Sequence, residues 1–402
     1  MPRRTPLALA AALAGLAALP ALAQQTPGVT ATTIKIGNTN PYSGPASAYS
    51  AIAKGETAFF KMVDDKGGIA GHKIDFISLD DGYAPPKTVE QTRKLVEEDG
   101  VAFLFNGLGT PSQTAVEKYL NDKKVPQLFV ASGADKWGDY KHYPWTMGWQ
   151  PSYRTEAQIY AKYILANKPN AKIAILYQND DFGLDYLAGV KDVLGAKYKT
   201  MVVKQVSYEV TEPTIDSQVL ELQGSGADVL ITAATPKFAA QAIRKVYDIG
   251  WRPLHFMTNV SISVASVIQP AGPEKATGLI TAQYGKDPTD PALKDDAGLK
   301  EWRGFMAKYM PGADLKDVNY VYAYGVSLTL MQVLQQCAGD FSRQNIMHQA
   351  AALHDLVLPT ALPGVTVATS PTNYHPIRRM QLAKWDGKAW TRFGGVIGGA
   401  GS

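Results

Sequence analysis

Short apolar runs alternate with longer amphipathic runs along most of this 402-residue sequence. A short apolar run bounded by turn residues is typical of a buried strand, whereas an amphipathic run repeats its apolar residues on one helix face. Strands that alternate with helices predict a parallel sheet covered by helices on both faces. The first series predicts strands over residues 33–37, 73–79, 102–105 and 127–130 and helices over 48–65, 87–99 and 112–122.

The alternation starts again beyond residues 143–152, where Pro144 and Pro151 bracket two tryptophans. This second series predicts strands over residues 172–177, 201–206, 228–232 and 254–257 and helices over 154–166, 184–194, 215–222 and 237–249. The sequence therefore predicts two α/β units of similar size, joined near Trp145 and Trp149.

The last third of the chain has too few elements to bury a core of its own. It predicts strands over 279–283, 364–369, 377–385 and 389–393 and helices over 300–309, 320–336 and 344–354. Asp386-Gly387 is a hairpin signal between the last two strands. We expect these elements to complete the first two units, so that the chain crosses between the units more than once.

The two ends of the sequence are expected to lie outside the fold. Residues 1–23 have Arg3 and Arg4, a run rich in Ala and Leu, and Ala21-Leu22-Ala23 as a cleavage site, which predicts a secretory signal peptide rather than a membrane anchor or a buried helix. No cysteine follows the run, so we expect a periplasmic protein that is not a lipoprotein. The Gly-rich segment 396–402 is predicted to be a flexible tail.

Composition excludes several functional classes. With 46% hydrophobic and 19% charged residues, the chain is expected to be globular. The formal net charge of +4 comes without any Lys/Arg tract, which excludes a nucleic-acid footprint. A single cysteine, Cys337, excludes an intramolecular disulfide and any thiolate metal cage, and the six histidines form no metal-binding pattern. We therefore expect no cofactor, no metal and no nucleic-acid partner.

The motifs that catalysis would require are missing. There is no G-x-S-x-G nucleophile elbow and no Walker-type phosphate loop. Residues 107–112 resemble the start of a dinucleotide fingerprint, but Ser112 stands in place of the third glycine. The acidic pairs at 80–81 and 180–181 could serve a metal or acid/base chemistry, although turn and cap roles are the favoured interpretation. We expect a protein that is not an enzyme.

Two loops at predicted strand ends offer an anion site. Thr110 and Ser112 open a helix, and a helix N-terminus presents unpaired N–H groups and partial positive charge. Ala131, Ser132 and Gly133 follow the next strand, and ligands of open α/β sheets bind at such carboxyl ends. Each hydroxyl alone could simply cap a helix. Together the two loops indicate a carboxylate site.

Several motifs resemble one protein family. They are Ser43-Gly44-Pro45, the segment Gly67-Gly68-Ile69-Ala70-Gly71-His72-Lys73 with Asp80-Asp81 downstream, and Asp181-Phe182-Gly183. The sequence is similar here, and over nearly all of its length beyond residue 23, to solute-binding proteins of ABC importers of the leucine/isoleucine/valine-binding type. The resemblance implies the type I periplasmic-binding fold, which has two Rossmann-like lobes joined by three crossovers, with the ligand in the cleft between them.

On this basis we expect lobe 1 to span residues 29–147 plus about 282–365, and lobe 2 to span about 148–281 plus about 366–395. The resemblance also implies the site. Thr110 and the loop Ala131-Ser132-Gly133 match the positions that hold a ligand carboxylate. Tyr49, Phe182 and Tyr324 match aromatic positions around the cleft. Only one of Tyr322 and Tyr324 can face the cleft, and Trp149 and Tyr153 could either line it or support the hinge.

The departures from the family pattern concern the ligand's other end. Family members that bind amino acids use an acidic residue of the second lobe for the ammonium group, but residues 256–261 contain none. Thr235 replaces a second-lobe aromatic residue, and Asn259 would be a neutral partner. Tyr83 and Gly109 stand where some members have a disulfide. An ammonium group buried without a counter-charge is costly.

The expected function is therefore capture of a small carboxylate, either branched-chain amino acid-like or an aromatic or aliphatic acid, and its delivery to an inner-membrane ABC permease by a monomer. The alternative is a sensing receptor of the same fold for an amide or an amino acid. A third hypothesis, an exported enzyme, lacks a supporting motif.

Overall fold

A computed structural model describes residues 26–399 of the chain. The predicted signal peptide at 1–23 and the end of the predicted tail at 400–402 lie outside the described residues. The strands are β1 Thr33–Asn40, β2 Lys73–Asp80, β3 Phe103–Phe105, β4 Gln127–Val130, β5 Thr146–Gly148, β6 Ile173–Gln178, β7 Val202–Tyr208, β8 Val229–Ala233, β9 Leu254–Met257, β10 Ile280–Gln283, β11 Arg379–Trp385 and β12 Trp390–Gly398.

The helices lie between these strands, as the alternation predicts. They are α1 Ser50–Asp65, α2 Pro85–Arg93, α3 Thr110–Asp122, α4 Tyr153–Asn167, α5 Asp181–Leu194, α6 Tyr198–Met201, α7 Asp216–Gly224, α8 Pro236–Asp248, α9 Gln269–Ala271, α10 Ala297–Tyr309, α11 Val318–Gln336 and α12 Arg343–Ala350. No helix within residues 26–399 is long and apolar enough to cross a membrane.

The strands form two separate sheets. The first sheet has the order β2-β1-β3-β4-β5, and all its neighbouring strands are parallel. The second has the order β12-β11-β10-β9-β8-β6-β7, in which β6 to β10 are parallel and the hairpin β11–β12 adds an antiparallel edge. This is the predicted α/β fold of two Rossmann-like lobes.

Polar residues at the helix starts help to define the elements around the centre of the molecule. The Ser152 hydroxyl accepts the backbone N–H groups of Arg154 and Thr155 at the start of α4. The Asp180 carboxylate accepts the Phe182 N–H at the start of α5. Such caps satisfy N–H groups that have no partner within the helix. The favoured interpretation of Asp180 as a cap residue agrees with this geometry.

Each lobe has its own apolar core. Helices α10, α11 and α12 pack on the first sheet and bury Trp302, Leu330 and Ile346 in its core. The chain returns to the second sheet in β11, and Trp385 is buried in a core cluster there. Val367 and Ile377 still belong to the first core. The packing therefore favours a third crossover near residue 378, later than the expected boundary at about 366.

Two local predictions near the C-terminus are wrong. Residues 364–369 form no strand; Val367 makes only an isolated bridge to Leu356. The predicted tail begins inside β12, because Val396 and Ile397 pair with Gln381 and Met380 of the neighbouring strand. The ladder hydrogen bonds hold these residues in extended conformation despite the glycines around them.

Candidate ligand-binding site

A cavity lies between the two lobes at the carboxyl ends of the parallel strands. It encloses about 960 Å³ of empty space, part of it open to solvent. Thr110 and Ala131 follow strands of the first sheet, and Thr235, Asn259 and Gln283 follow or end strands of the second. None of the residues described as lining it is Asp, Glu, Lys, Arg or His. The polar groups that reach a ligand there are therefore hydroxyls, amides and backbone groups.

The orientation of the Thr110 hydroxyl follows from its neighbours. Ser132 Oγ accepts the indole N–H of Trp137 at 2.9 Å and the backbone N–H of Ala134 at 3.2 Å. A hydroxyl oxygen has two acceptor positions and one proton, so the Ser132 proton is left for Thr110 Oγ1, 2.6 Å away. Thr110 Oγ1 then accepts, and its own proton is free to donate towards the cavity.

Helix α3 begins at this hydroxyl. Its N-cap residue, Gly109, has φ +100°, and a Cβ there would lie 2.4 Å from Cε2 of Tyr83. The Tyr83 ring therefore packs closely against a position that only glycine can occupy. The first N–H groups of α3 have no intrahelical partner, and with the helix dipole they favour an anion beside Thr110.

Aromatic side chains of both lobes make up much of the remaining wall. The rings of Trp149 and Tyr322 lie 5.1 Å apart, edge to face, and Tyr284 lies 5.9 Å from Trp149. On the other side Tyr153 and Phe182 have centroids 4.6 Å apart. Fixed edge-to-face rings form an apolar surface suited to a flat or aliphatic ligand body.

Asn259 is the lining residue with the most unusual support. Its backbone N–H donates to Oε1 of Glu156 at 2.8 Å, and its side-chain Nδ2 donates to Oε2 of the same carboxyl group. Tyr160 also donates its hydroxyl to Glu156. Glu156 itself is fully buried and does not line the cavity, and desolvation raises the pKa of Glu156 to about 7.

A second amide side chain faces the cavity without any partner in the protein. Gln283, at the end of β10, is 3% exposed, and neither Oε1 nor Nε2 makes a hydrogen bond within the described residues. A buried amide left unpaired costs stability, so a ligand or water is needed to satisfy it.

Direct contacts join the two lobes around the cavity. The Tyr49 hydroxyl, on the first lobe, donates to the Val260 carbonyl of the second lobe at 3.0 Å. Near the hinge, the Asp135 N–H donates to Asp185 Oδ2 at 2.7 Å. Desolvation raises the pKa of Asp185 to about 7. The lobes are therefore closed on each other in this structure.

The structure brings together six of the nine residues proposed from the sequence. They are Tyr49, Thr110, Ala131, Phe182, Thr235 and Asn259. Ser132 and Gly133 lie behind the wall, where a Cβ on Gly133 would meet the Pro151 carbonyl at 2.5 Å. Ser132 supports Thr110 instead of lining the cavity.

Tyr324 lies in the first core rather than at the cavity. Its ring packs 5.3 Å from that of Phe59, and its hydroxyl donates to Glu301 at 2.7 Å. Tyr322 lines the cavity in its place, and its hydroxyl accepts from Asn106 Nδ2. Residues two positions apart on a helix point about 200° apart, so Tyr322 and Tyr324 lie on nearly opposite faces of α11. The face that carries Tyr322 is the one that lines the cavity.

Sequence reasoning missed several polar lining residues. Gln150, Gln283, Asn319 and Thr360 were not proposed, although all line the cavity. Gln283 could have been found, because it ends a predicted strand and strand ends were already singled out. Asn319 and Thr360 lie on elements that the chain brings back to the site late, and nothing local marks them. Within residues 26–399 there is no cluster of three or more potential metal ligands.

Comparisons with known proteins agree with this architecture. Among curated proteins, Leu/Ile/Val-binding protein homolog 7 of Brucella suis is 25% identical over 337 residues, which covers 79% of each chain. A branched-chain amino acid ABC transporter protein of Thermus thermophilus, solved with bound valine, superimposes with TM-score 0.82 at 13% identity, covering 92% of this chain and 97% of that one.

A solute-binding protein of an ABC transporter from R. palustris, solved with 4-hydroxybenzoate, gives TM-score 0.75 at 18% identity, covering 91% of this chain and 97% of the other. At these identities the two structures show the shared fold. The sequence pattern of the periplasmic binding protein family matches residues 33–389. The chain belongs to the periplasmic binding protein family and is of the leucine/isoleucine/valine-binding type.

Proposed function

We propose that this protein is the exported ligand-capturing component of an ABC importer, and that it holds a small acid by its carboxylate between the two lobes. The observation that carries the proposal is the Thr110 hydroxyl, which lies at the start of α3 beside Ser132 and lines a cavity whose described lining has no charged side chain. Neutral donors at a helix N-terminus stabilise a carboxylate without a cationic side chain.

The lining also favours the rest of the ligand being uncharged. A zwitterionic amino acid would bury its ammonium group, and no carboxylate side chain among residues 26–399 lines the cavity to receive it. Glu156 is separated from the cavity by Asn259, which occupies both of its oxygens. The rings of Trp149 and Tyr322 suit an aromatic or aliphatic body. We therefore favour an aromatic or aliphatic acid over a branched-chain amino acid.

The neighbours in structure suggest which probes to use. One was solved with valine and another with 4-hydroxybenzoate, so the fold accommodates both an amino acid and an aromatic acid. The uncharged lining of this cavity is closer to what the second kind of ligand needs. Because amide side chains of Asn259 and Gln283 face the cavity, a primary amide is the alternative ligand class.

The experiment is a thermal-shift and calorimetry screen of the chain without residues 1–23. The panel holds benzoate, 4-hydroxybenzoate, 3-phenylpropanoate, their primary amides, leucine and valine. A ligand present at about 100 times its Kd adds about 2.7 kcal/mol to the free energy of unfolding. We expect at least one acid to raise the Tm and bind more tightly than its amide. Binding of amides alone would contradict the carboxylate anchor, and binding of amino acids alone would contradict the preference for an acid without an ammonium group.

Thr110→Val tests the anchor within the same screen. Hydrogen bonds to a charged group contribute about 1.5–3 kcal/mol, so we expect acid affinity to fall by about tenfold or more. Thr114→Val is the matched control, because Thr114 lies on the same helix and does not line the cavity. An unchanged acid affinity in Thr110→Val would place the carboxylate elsewhere.

A further inference from the structure

Two groups on Glu156 determine how the Asn259 side chain is turned. Oε1 receives the Asn259 backbone N–H, and Oε2 receives the side-chain Nδ2. An ionised carboxylate accepts hydrogen bonds and donates none. When Glu156 is protonated, Oε1 can donate to the Tyr160 hydroxyl, which then donates to the Met257 carbonyl at 2.7 Å. In both forms Oε2 accepts, so it holds the nitrogen end of the amide. The carbonyl oxygen Oδ1 is consequently the end of the Asn259 side chain that is left to face the cavity.

The carboxyl group is itself fixed from other elements. Glu156 is fully buried on α4, and Tyr160, one turn later on the same helix, donates its hydroxyl to Oε1. The Tyr160 hydroxyl accepts the Ala282 N–H at 3.1 Å, which ties the group to β10. Tyr186, on α5, donates its hydroxyl to Thr258, the residue before Asn259. The orientation of Asn259 therefore depends on three elements of the second lobe.

We propose that Glu156 is a positioning residue that makes Asn259 a hydrogen-bond acceptor in the cavity, so that the preferred ligand is an acid with a neutral hydrogen-bond donor, a hydroxyl or an uncharged amine, at the end facing the second lobe. This inference rests on the proposed carboxylate function and adds the second polar group. A site whose buried oxygen needs a donor discriminates against an analogue that lacks one.

Gln283 strengthens the argument for a polar group at this end. Its buried amide lines the same cavity and has no protein partner among the described residues, so it can donate to or accept from the same hydroxyl or amine. A hydroxyl that donates to Asn259 has lone pairs left to accept from Gln283. An acid without a polar group would leave Asn259 Oδ1 and the Gln283 amide without a partner on the ligand.

The test uses three acids of one shape. 4-Hydroxybenzoate and 4-aminobenzoate carry a donor opposite the carboxylate, and 4-formylbenzoate carries only an acceptor there. Calorimetry on the wild-type protein is expected to give Kd values at least tenfold lower for the two donors. If all three acids bind equally, the inference is overturned while the carboxylate function stands. If none of the three and no other acid of the screen binds, the proposed function itself fails.

Glu156→Gln separates positioning from packing. A glutamine at 156 keeps one oxygen for the Asn259 N–H and can turn its own NH₂ towards Asn259 Oδ1, which would present Asn259 Nδ2 to the cavity. We expect the preference for donors to shrink by at least tenfold or to reverse in favour of 4-formylbenzoate. A purely structural role would lower all three affinities together and leave their ratio unchanged, which would overturn the inference.

Two further variants complete the design. Glu301→Gln is the control, because Glu301 accepts the hydroxyl of Tyr324, which does not line the cavity, whereas Glu156 holds Asn259, which does. The ratio of the three acid affinities should not change in this variant. Asn259→Leu removes the acceptor without altering Glu156, so the donor preference should be lost even if Glu156→Gln fails to fold. A donor preference that survives in Asn259→Leu would show that another group accepts the ligand's hydrogen bond, which would overturn the inference.

Discussion

The side-chain oxygens of Thr110 and Ser132 lie 2.6 Å apart, although only Thr110 lines the cavity. Ser132 Oγ accepts hydrogen bonds from the Trp137 indole and the Ala134 N–H. Its own proton is then directed to Thr110, which fixes the orientation of the Thr110 hydroxyl. The loop after β4 therefore affects the ligand through a residue on α3.

We expect Ser132→Ala to weaken acid binding about two- to tenfold although residue 132 does not line the cavity. The substitution frees the Thr110 hydroxyl to rotate and removes a net hydrogen bond of about 0.5–1.5 kcal/mol. Ser327→Ala is the control, because the Ser327 hydroxyl is buried on α11 without a hydrogen-bond partner in the described chain. Calorimetry with the tightest acid of the screen measures the affinity of both variants. Equal affinities in the two variants would show that Ser132 does not orient Thr110 for the ligand.

Gly109→Ala is expected to destabilise the protein through the Tyr83 ring. Its new methyl group would meet Tyr83 at 2.4 Å and occupy a position with φ +100°. Gly312→Ala is a close control, since Gly312 has φ +86° and no neighbour within 4 Å of an added Cβ. Urea unfolding should show a free-energy loss larger by about 1–3 kcal/mol at position 109. Similar losses at both positions would mean that the ring simply moves aside.

Tyr49→Phe is expected to shift the ligand-free protein towards an open form. It removes the hydroxyl that joins the lobes at the Val260 carbonyl, a contact of about 0.5–1.5 kcal/mol, so the closed population should fall about two- to tenfold relative to the open one. Tyr374→Phe is the control, because its hydroxyl bonds the Pro144 carbonyl. Both of those residues belong to the first lobe.

Small-angle scattering without ligand measures the result. The radius of gyration should rise for Tyr49→Phe and stay constant for Tyr374→Phe, and a tight ligand should restore the smaller value in Tyr49→Phe. If the two variants scatter alike, the Tyr49 contact does not contribute to closure.

Part of this arrangement could be read from the sequence, and the rest depends on distant contacts. Strand ends and helix starts mark Thr110 and Ala131, because the parallel alternation places them on one edge of the first sheet. Asn259 follows from the resemblance to the family. Ser132 shares the loop of Ala131, yet the side chain turns back to Trp137. No local pattern shows which of the Thr110 and Ser132 hydroxyls lines the cavity.

The choice between Tyr322 and Tyr324 depended on the face of α11 that packs on the first core. Phe59, on α1, and Phe305, on the preceding helix α10, decide the face by packing on Tyr324. The role of Glu156 was not predicted from the sequence for a similar reason. It reads as an ordinary polar residue of a helix start, and its link to Asn259 spans 103 positions of sequence.

The Glu156 carboxyl should make stability depend on pH. Burial raises the pKa of Glu156 from 4.5 to about 7, so the folded state favours the protonated form. The contribution of Glu156 to the free energy of unfolding is present in full below about pH 4.5. It is lost as the pH rises through 7, a change of about 3 kcal/mol. Glu156→Gln should therefore gain stability relative to wild type between pH 4.5 and pH 8.

Urea unfolding of both proteins at the two pH values gives this difference, since titration of the other buried carboxyls cancels between them. A stability difference between wild type and variant that does not change with pH would show that Glu156 keeps an ordinary pKa in the folded state.

The ligand class is measured most directly by calorimetry with two matched pairs, leucine against 4-methylpentanoate and phenylalanine against 3-phenylpropanoate. Each pair differs only in the ammonium group, for which the described part of the chain places no charged partner in the cavity wall. The account predicts that the acid without an amino group binds at least as tightly as its amino acid in the pair that binds. Micromolar or tighter binding of leucine or phenylalanine, with no binding of the corresponding des-amino acid, would contradict it.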